Sequence, residues 1–455
     1  MTSKKRSWDW ILELSEGFDF RLALTSAWSL ALRVAGLAST FALGVVLARG
    51  LGPAEYGVYG LVTTVAALLM TVTQLGTPQL AVRDFSILSQ TSRWAELERR
   101  LLQYAVSTTL VAMLIGISAT VAADLIGRNS RTVLLIAQGA ILTVLMGLTS
   151  LSASMLRGLG AMIKGQVMDI LVRPALVFVA ALLFLSTERS IDAVLALWLQ
   201  IGVTLASSVI SILWIIGSIP DRQRSWPDLR GLLQFDWLKT AIPLGIVDML
   251  RQLSGAYSVI FVGWLASAVD LGIFRVAVAC GVVVAMPVTI FHIVFAPRMA
   301  QLNEAGKRRD LQQLLSGATT AMLAIMVPTT LGSWFLGKIA ISFAFGAQYA
   351  SAWLPLFFLC MAQLITAGFG MGPILLAMCG GERRLTLIYV LAVGAGILLT
   401  LPLTWRWGSA GAAAASNVTA LIIGLGSRQY GKRRLGVDVS ASILSRLKRP
   451  TGQSQ

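Results

Sequence analysis

The stretch LARGLGPAEYGVYG, residues 47–60, lies between two long apolar runs. Pro53 and four glycines suit a tight connection in which one helix turns into the next within a few residues. The run before it and the run after it are each long enough to cross a membrane, which takes about 20 apolar residues. The stretch therefore predicts two membrane-spanning helices that are joined at a membrane surface.

The composition of the whole chain agrees with an integral membrane protein. Of its 455 residues, 56% are hydrophobic and 13% are charged, and the mean hydropathy of +0.76 is far above that of ordinary soluble domains. A net charge of +16 would suggest nucleic acid as the partner of a soluble protein. Here the basic residues lie in the gaps between apolar runs, which is typical of membrane topology, so no nucleic-acid partner is expected.

A window of about 20 apolar residues predicts an all-α polytopic protein with twelve membrane helices. The first run is too long for the core of a cleavable export signal, so we expect a retained helix there. The predicted helices span approximately residues 22–48, 57–82, 101–126, 133–156, 165–185, 192–217, 239–265, 272–297, 312–336, 353–379, 386–404 and 408–427.

Lysine and arginine in the connections predict the orientation of the chain. With the N-terminus inside, the inner connections and termini carry 27 of these residues and the outer connections carry 6. Cytoplasmic segments of membrane proteins hold the excess of positive charge. Both termini are therefore predicted to be cytoplasmic, and residues 49–56 are predicted to lie at the outer surface.

An internal repeat relates the two halves of the chain. A shift of 215 residues aligns Glu55 with Asp270, Gly57 with Gly272, Tyr59 with Phe274 and Arg83 with Arg298. With six helices in each half, both halves enter the membrane from the same side, which makes the repeat parallel. The predicted segments are a cytoplasmic segment 1–21, an N-lobe 22–217, a cytoplasmic linker 218–238, a C-lobe 239–427 and a basic tail 428–455.

Four arginines lie inside the predicted helices. A charge that faces lipid costs several kcal/mol, so such residues normally face a bundle interior or a water-filled cavity. Arg33, Arg173 and Arg251 are each about 8–12 residues from the inner end of a helix, a depth of roughly 12–18 Å. Arg275 enters from the outer end of its helix and could instead extend to that surface.

Two aspartates accompany these arginines at helical spacing. Asp169 precedes Arg173 by four residues and Asp248 precedes Arg251 by three, so each pair shares one helical face. One interpretation is neutralisation within each helix. A second is a bridge between the halves, because the 215-residue shift aligns Arg33 with Asp248. A third is that the excess of arginine leaves a cationic cavity suited to phosphate, which guanidinium groups bind through paired hydrogen bonds.

No enzyme, metal site or cofactor is expected. The three cysteines show no CxxC spacing, and His292, the only histidine, is interpreted as a packing or interfacial residue at a helix end. Nucleotide-binding and nucleophile motifs are absent, and the outer connections are too short for a catalytic domain. A transporter of this kind would draw its energy from a gradient or from the metabolism of its substrate.

Six short features, in order along the chain, resemble the polysaccharide transporter, or O-antigen flippase, family of the multidrug/oligosaccharidyl-lipid/polysaccharide exporter superfamily. The features are LARGLGPAEYGVYG at 47–60, Leu75 with Gly76, Arg83, Arg173 with Pro174, FGAQYASAW at 345–353 and GSAGAAAAS at 408–416. The resemblance implies two six-helix lobes around a central cavity that opens alternately to the two sides. It also implies a lipid-pyrophosphate-linked sugar as the substrate.

The resemblance implies that cationic residues in the cavity hold the phosphate. Arg173 is assigned through the match of Arg173 and Pro174, whereas Arg33, Arg251 and Arg275 are assigned from burial alone. Asp248 is expected to act as a counter-ion or in coupling. Asp169 is expected to do the same.

The predicted function is translocation of lipid-(pyro)phosphate-linked oligosaccharide units across the bacterial inner membrane, for O-antigen, capsule or exopolysaccharide synthesis. The expected partners are this substrate, membrane lipid and other membrane proteins of polysaccharide assembly. The alternatives are a cation-coupled small-molecule or drug exporter of the same superfamily, a membrane polysaccharide polymerase or ligase, and a scaffold without transport. A polymerase or ligase would need a large outer loop with acidic or histidine residues, which the sequence lacks.

Overall fold

The computed structural model describes residues 20–186, 191–219 and 237–437, and the regular structure within these ranges is helical. The predicted N-terminal segment up to residue 19, the linker residues 220–236 and the tail beyond residue 437 lie outside the described residues.

The long helices follow one another with short connections. Val167–Val172 and Gly431–Leu435 are π-helical, and Ala347–Ala352 is a 3₁₀ helix. The α-helices are α1 Phe20–Gln74, α2 Thr77–Gln90, α3 Trp94–Leu125, α4 Ser130–Gly158, α5 Met162–Gln166, α6 Arg173–Leu185, α7 Ala193–Gly217, α8 Leu238–Leu265, α9 Ala268–Val284, α10 Met286–Glu304, α11 Arg308–Phe345, α12 Trp353–Gly368, α13 Gly372–Met378 and α14 Glu382–Tyr430.

Nine helical stretches within the described ranges are long and apolar enough to cross a membrane. Two of them are divided by a glycine, Gly52 in α1 with φ 73° and Gly408 in α14 with φ 54°, a region that residues with a Cβ rarely adopt. The sequence predicts a connection between two helices at each of these places. The total of twelve stays a prediction, since α8, with its three charged residues, is not among the nine.

Several helices extend beyond the apolar windows of the sequence. Helix α2 occupies part of the predicted inner connection 83–100, and α10 continues to Glu304. Charged residues at these ends lower the hydropathy of a window, yet Arg, Lys and Glu are good helix formers. A hydropathy window therefore ends these helices too early.

The helices form two lobes that share an apolar core at one end of the molecule and also touch near the start of α8 at the other. At the end that contains Gly52 and Gly346, here called the Gly52 end, a single apolar core joins both lobes and includes Leu47, Tyr56, Ile273, Phe345 and Tyr349. Toward the opposite end the apolar residues divide into two cores, one around Phe85 and Tyr104 that also includes Trp237 and Ala241, and another around Met299 and Met322. The lobes are thus closed against each other at the Gly52 end.

Two glycines lie at the contact between the lobes. Gly57 approaches the backbone of Ala268 and Gly272 so closely that a Cβ would clash, and Gly272 approaches the backbone of Pro53 in the same way. The 215-residue shift aligns Gly57 with Gly272 and Pro53 with Ala268, so the two contacts are made by equivalent positions of the two halves. Reciprocal contacts of this kind are what a two-fold axis produces, and they agree with the predicted repeat.

Candidate functional site

Three neighbouring chambers with charged walls lie between the lobes. The N-lobe chamber has a volume of about 520 Å³, the C-lobe chamber about 740 Å³ and the bridging chamber about 330 Å³. Arg33 lines the N-lobe and C-lobe chambers, and Arg251 lines the C-lobe and bridging chambers. Arg275 lines the N-lobe and bridging chambers. Arg173 lines the N-lobe chamber, so the structure brings all four predicted arginines to one connected region.

An irregular helix positions Arg173 in the wall of the N-lobe chamber. The residues before it, Val167–Val172, form a π-helical turn, and Pro174 follows it at the start of α6. Proline has no N–H, so Pro174 leaves the carbonyl of Ile170, four residues earlier, without its helical partner. Gly36 of α1 lies directly against that carbonyl, where a Cβ would clash. Arg173 therefore occupies the junction between a loosened turn and a regular helix.

Both predicted aspartate–arginine pairs are present. A guanidinium nitrogen of Arg173 lies 3.2 Å from Asp169 Oδ1, and one of Arg251 lies 2.9 Å from Asp248 Oδ1. Asp248 thus pairs within its own helix and not with Arg33, which makes no ion pair among the described residues. The Arg251 side chain is 70% exposed, and such a pair contributes only about 0–1 kcal/mol, so an entering anion could displace Asp248.

Arg275 points into the protein and does not extend to the outer surface. Its side chain packs over Gly60, where a Cβ would clash with it. One guanidinium nitrogen donates a hydrogen bond to the Thr64 hydroxyl at 2.9 Å, while Nε is buried with no partner among the described residues. A buried donor without an acceptor is unfavourable, so an anion bound beside it would stabilise this side chain.

Two residues of the region differ from their sequence interpretation. Arg157, which the predicted helix bounds place in an inner connection, lies half-buried in the last turn of α4. It donates to Ser154 Oγ at 2.7 Å and interacts electrostatically with Asp169 and Arg33. His292 lies inside α10 on the wall of the C-lobe chamber and not at a helix end. The position of Arg157 directly after a predicted helix was the one sequence feature that could have placed it inside that helix.

Uncharged polar residues of the chambers gave no signal in the sequence. Tyr59 donates a hydrogen bond to Gln200 of α7, and both line the N-lobe chamber. Thr63 and Thr64 line the bridging chamber. Hydroxyl and amide residues are common in apolar helices, so only the packing of distant helices identifies those that face the cavity.

The balance of charge decides what the chambers can bind. Four arginines and two aspartates line them, and each aspartate is already paired within its helix. The excess of guanidinium favours an anion, and arginine binds phosphate with paired, geometrically specific hydrogen bonds. Within the described ranges, no cluster of His, Cys, Asp and Glu could hold a metal ion.

The described helices thus form a membrane protein whose two lobes enclose a charged cavity. Residues 28–303 match the family described as polysaccharide biosynthesis protein. This match covers more than half of the chain, which therefore belongs to that family. No curated protein sequence matches the chain.

Solved structures with the same fold are flippases and transporters. The lipid II flippase MurJ, in an inward closed conformation, is 16% identical, with coverage of 90% of this chain and 87% of that chain and a TM-score of 0.71. An inward-facing multidrug resistance MATE family transporter of the MOP superfamily is 14% identical, with coverage of 92% and 100% and a TM-score of 0.62. A MOP superfamily transporter from Pyrococcus furiosus is 15% identical, with coverage of 90% and 95% and a TM-score of 0.56.

These comparisons confirm the predicted family resemblance and the two-lobed helical fold. At such identities the structural likeness concerns the fold alone. Family and fold together make the chain a multi-pass membrane protein of the polysaccharide biosynthesis family with a two-lobed helical fold.

Proposed function

We propose that the chain is a flippase that moves oligosaccharides linked to lipid (pyro)phosphate across the bacterial inner membrane, for O-antigen, capsule or exopolysaccharide synthesis. The observation that carries this proposal is the excess of arginine in the walls between the lobes. A diphosphate could not leave water for an apolar bundle without cations that replace its hydration. Arginine supplies them without losing its proton. Phosphate is thus assigned to Arg33, Arg173, Arg251 and Arg275.

Transport proceeds by alternating access between an N-lobe, residues 22–217, and a C-lobe, residues 239–427. With both termini in the cytoplasm, the Gly52 end faces outward, so the described state is closed to the outside. Asp169 and Asp248 then act as counter-ions in the empty cavity. Entry of the phosphate displaces them, which changes the electrostatic balance between the lobes and permits the swing to the opposite state.

Locating the lipid-linked repeat units in a deletion strain tests this function. Removal of the gene from its host should cause the units to accumulate on the cytoplasmic leaflet, with loss of the surface polymer, and the wild-type gene should restore both. Normal units together with altered drug sensitivity would instead support a cation-coupled exporter. Normal units with unchanged polymer and unchanged drug sensitivity would contradict the flippase.

A further inference from the structure

A fourth cavity adjoins the charged chambers and has no charged side chain in its wall. It lies between α8, α9, α12 and α14 and has a volume of about 310 Å³. We call it the hydroxyl chamber because its polar lining consists of Ser254, Ser258, Gln363, Thr366, Ser416 and Thr419. Small residues such as Gly281 and Ala362 complete the wall and leave the space open.

The hydroxyl chamber is next to the cationic region. It shares Ser254 and Thr366 with the C-lobe chamber, and Gly255 with the bridging chamber. Arg251 lines both of those chambers. A group in the hydroxyl chamber would therefore be a direct neighbour of an anion held by Arg251.

The polar groups of this chamber have unused hydrogen-bonding capacity. The Gln363 amide, with two donors and an acceptor, has no partner among the described residues. Thr366 donates to the carbonyl of Ala362 at 2.9 Å, which leaves its oxygen free to accept. Ser258 and Ser416 share a long hydrogen bond of 3.3 Å, and Ser416 also lies 3.5 Å from the carbonyl of Ala412, to which it donates. Neutral donors and acceptors together fit a sugar ring, whereas a lipid tail would leave them unsatisfied.

We propose that the hydroxyl chamber binds the sugar attached directly to the diphosphate, and that this sugar is uncharged. The proposal rests on the proposed function, which places the diphosphate at the arginines. The volume is at the lower end of the range of about 300–1,000 Å³ for small-molecule pockets, so only a small part of an oligosaccharide fits. An acidic sugar would meet no cation in this chamber, and its desolvation would be uncompensated.

Two lipid probes test the assignment on the purified full-length protein. The probes are polyprenyl diphosphate and the same lipid with one N-acetylglucosamine, and their affinities are measured separately. We expect the wild type to bind the glycosylated probe about tenfold more tightly or better, and Gln363→Leu to lower this preference by about tenfold, since about one hydrogen bond is lost. Affinity for polyprenyl diphosphate should be unchanged.

Two further variants keep the test decisive. Ser416→Ala probes the same chamber with little change of volume, and should also lower the preference if Gln363→Leu does not fold. Gln90→Leu is the matched control, because Gln90 is exposed at the end of α2 and lines none of the four chambers. Equal binding of the two probes by the wild type, or an unchanged preference in the chamber variants, would overturn the sugar assignment alone. Failure of the wild type to bind either probe would contradict the proposed function itself.

Discussion

The cavity arginines differ in what holds them before an anion arrives. Arg173 and Arg251 have carboxylate partners within their own helices, Arg275 has the Thr64 hydroxyl, and Arg33 has no ion pair among the described residues. The charge of the first two arginines is partly neutralised by these carboxylates, which phosphate replaces in the proposed mechanism. Under the proposed function, the neutralisation predicted as one alternative and the phosphate site predicted as another are two states of the same residues.

Replacement of the paired arginines should strongly reduce transport without unfolding the protein. We expect Arg173→Ala and Arg251→Ala each to lower flipping at least about tenfold, because a charge-assisted hydrogen bond contributes about 1.5–3 kcal/mol. Lysine at either position should restore part of the activity, since it keeps the charge but loses the planar fork. Surface polymer in the complemented deletion strain is the readout, with protein level in the membrane measured in parallel.

Arg128→Ala is the control for these variants. Arg128 is exposed and lines none of the described chambers, so its loss should leave flipping unchanged. Wild-type flipping by both cavity variants would contradict the phosphate site. Loss of folded protein in both would show that the ion pairs serve stability alone.

At the scale of elements, glycine allows the two lobes to touch through their backbones. The second half of α1 crosses α9 where Gly57 meets Ala268 and Gly272. Near α2, the backbones of Gly76 and Gly245 approach in a similar way. Small residues allow such close crossings in membrane proteins. The helices are thus held by main-chain contact at these points, which any larger side chain would prevent.

Gly57→Ala should destabilise the contact between the lobes. The added Cβ must push against the backbone of Ala268 and Gly272, and overpacking of this kind costs about 1–3 kcal/mol. A lower thermal unfolding temperature of the purified protein is expected. Gly202→Ala is the matched control, because Gly202 is also helical but a Cβ there meets nothing within 4 Å. Equal unfolding temperatures of the two variants would show that this contact does not limit stability.

At the scale of the whole molecule, the orientation of the chain can be tested by labelling. Ala54→Cys lies at the Gly52 end and should react with an impermeant thiol reagent added outside the cell, because the excess of lysine and arginine places this end outward. Thr91→Cys, exposed in the predicted inner connection, should react only after the inner face is opened. Labelling of the native protein, which has three cysteines, gives the background reaction. The reverse pattern would invert the proposed topology.

Local features of the fold and site could be predicted from the sequence, and long-range features could not. The turn at Gly52 and the Arg173–Asp169 pair depend on residues within a few positions of each other, so composition and spacing suffice. The internal repeat predicted two halves, and the family resemblance added the central cavity between them. The hydroxyl chamber and the packing of Arg275 over Gly60 depend on contacts between helices that are far apart in the sequence, and uncharged polar residues carry no signal of which face they occupy.

The two halves share a fold but differ in charge at equivalent points. Under the 215-residue shift, Arg33 corresponds to Asp248, and Arg275 corresponds to the glycine on which it packs, Gly60. A cavity between identical halves would accept a molecule equally well in two poses related by a half-turn. Opposite charges remove this degeneracy. Under the proposed function, an elongated cargo with an anionic head then has one favoured pose, and the cavity would distinguish head from tail before the lobes move.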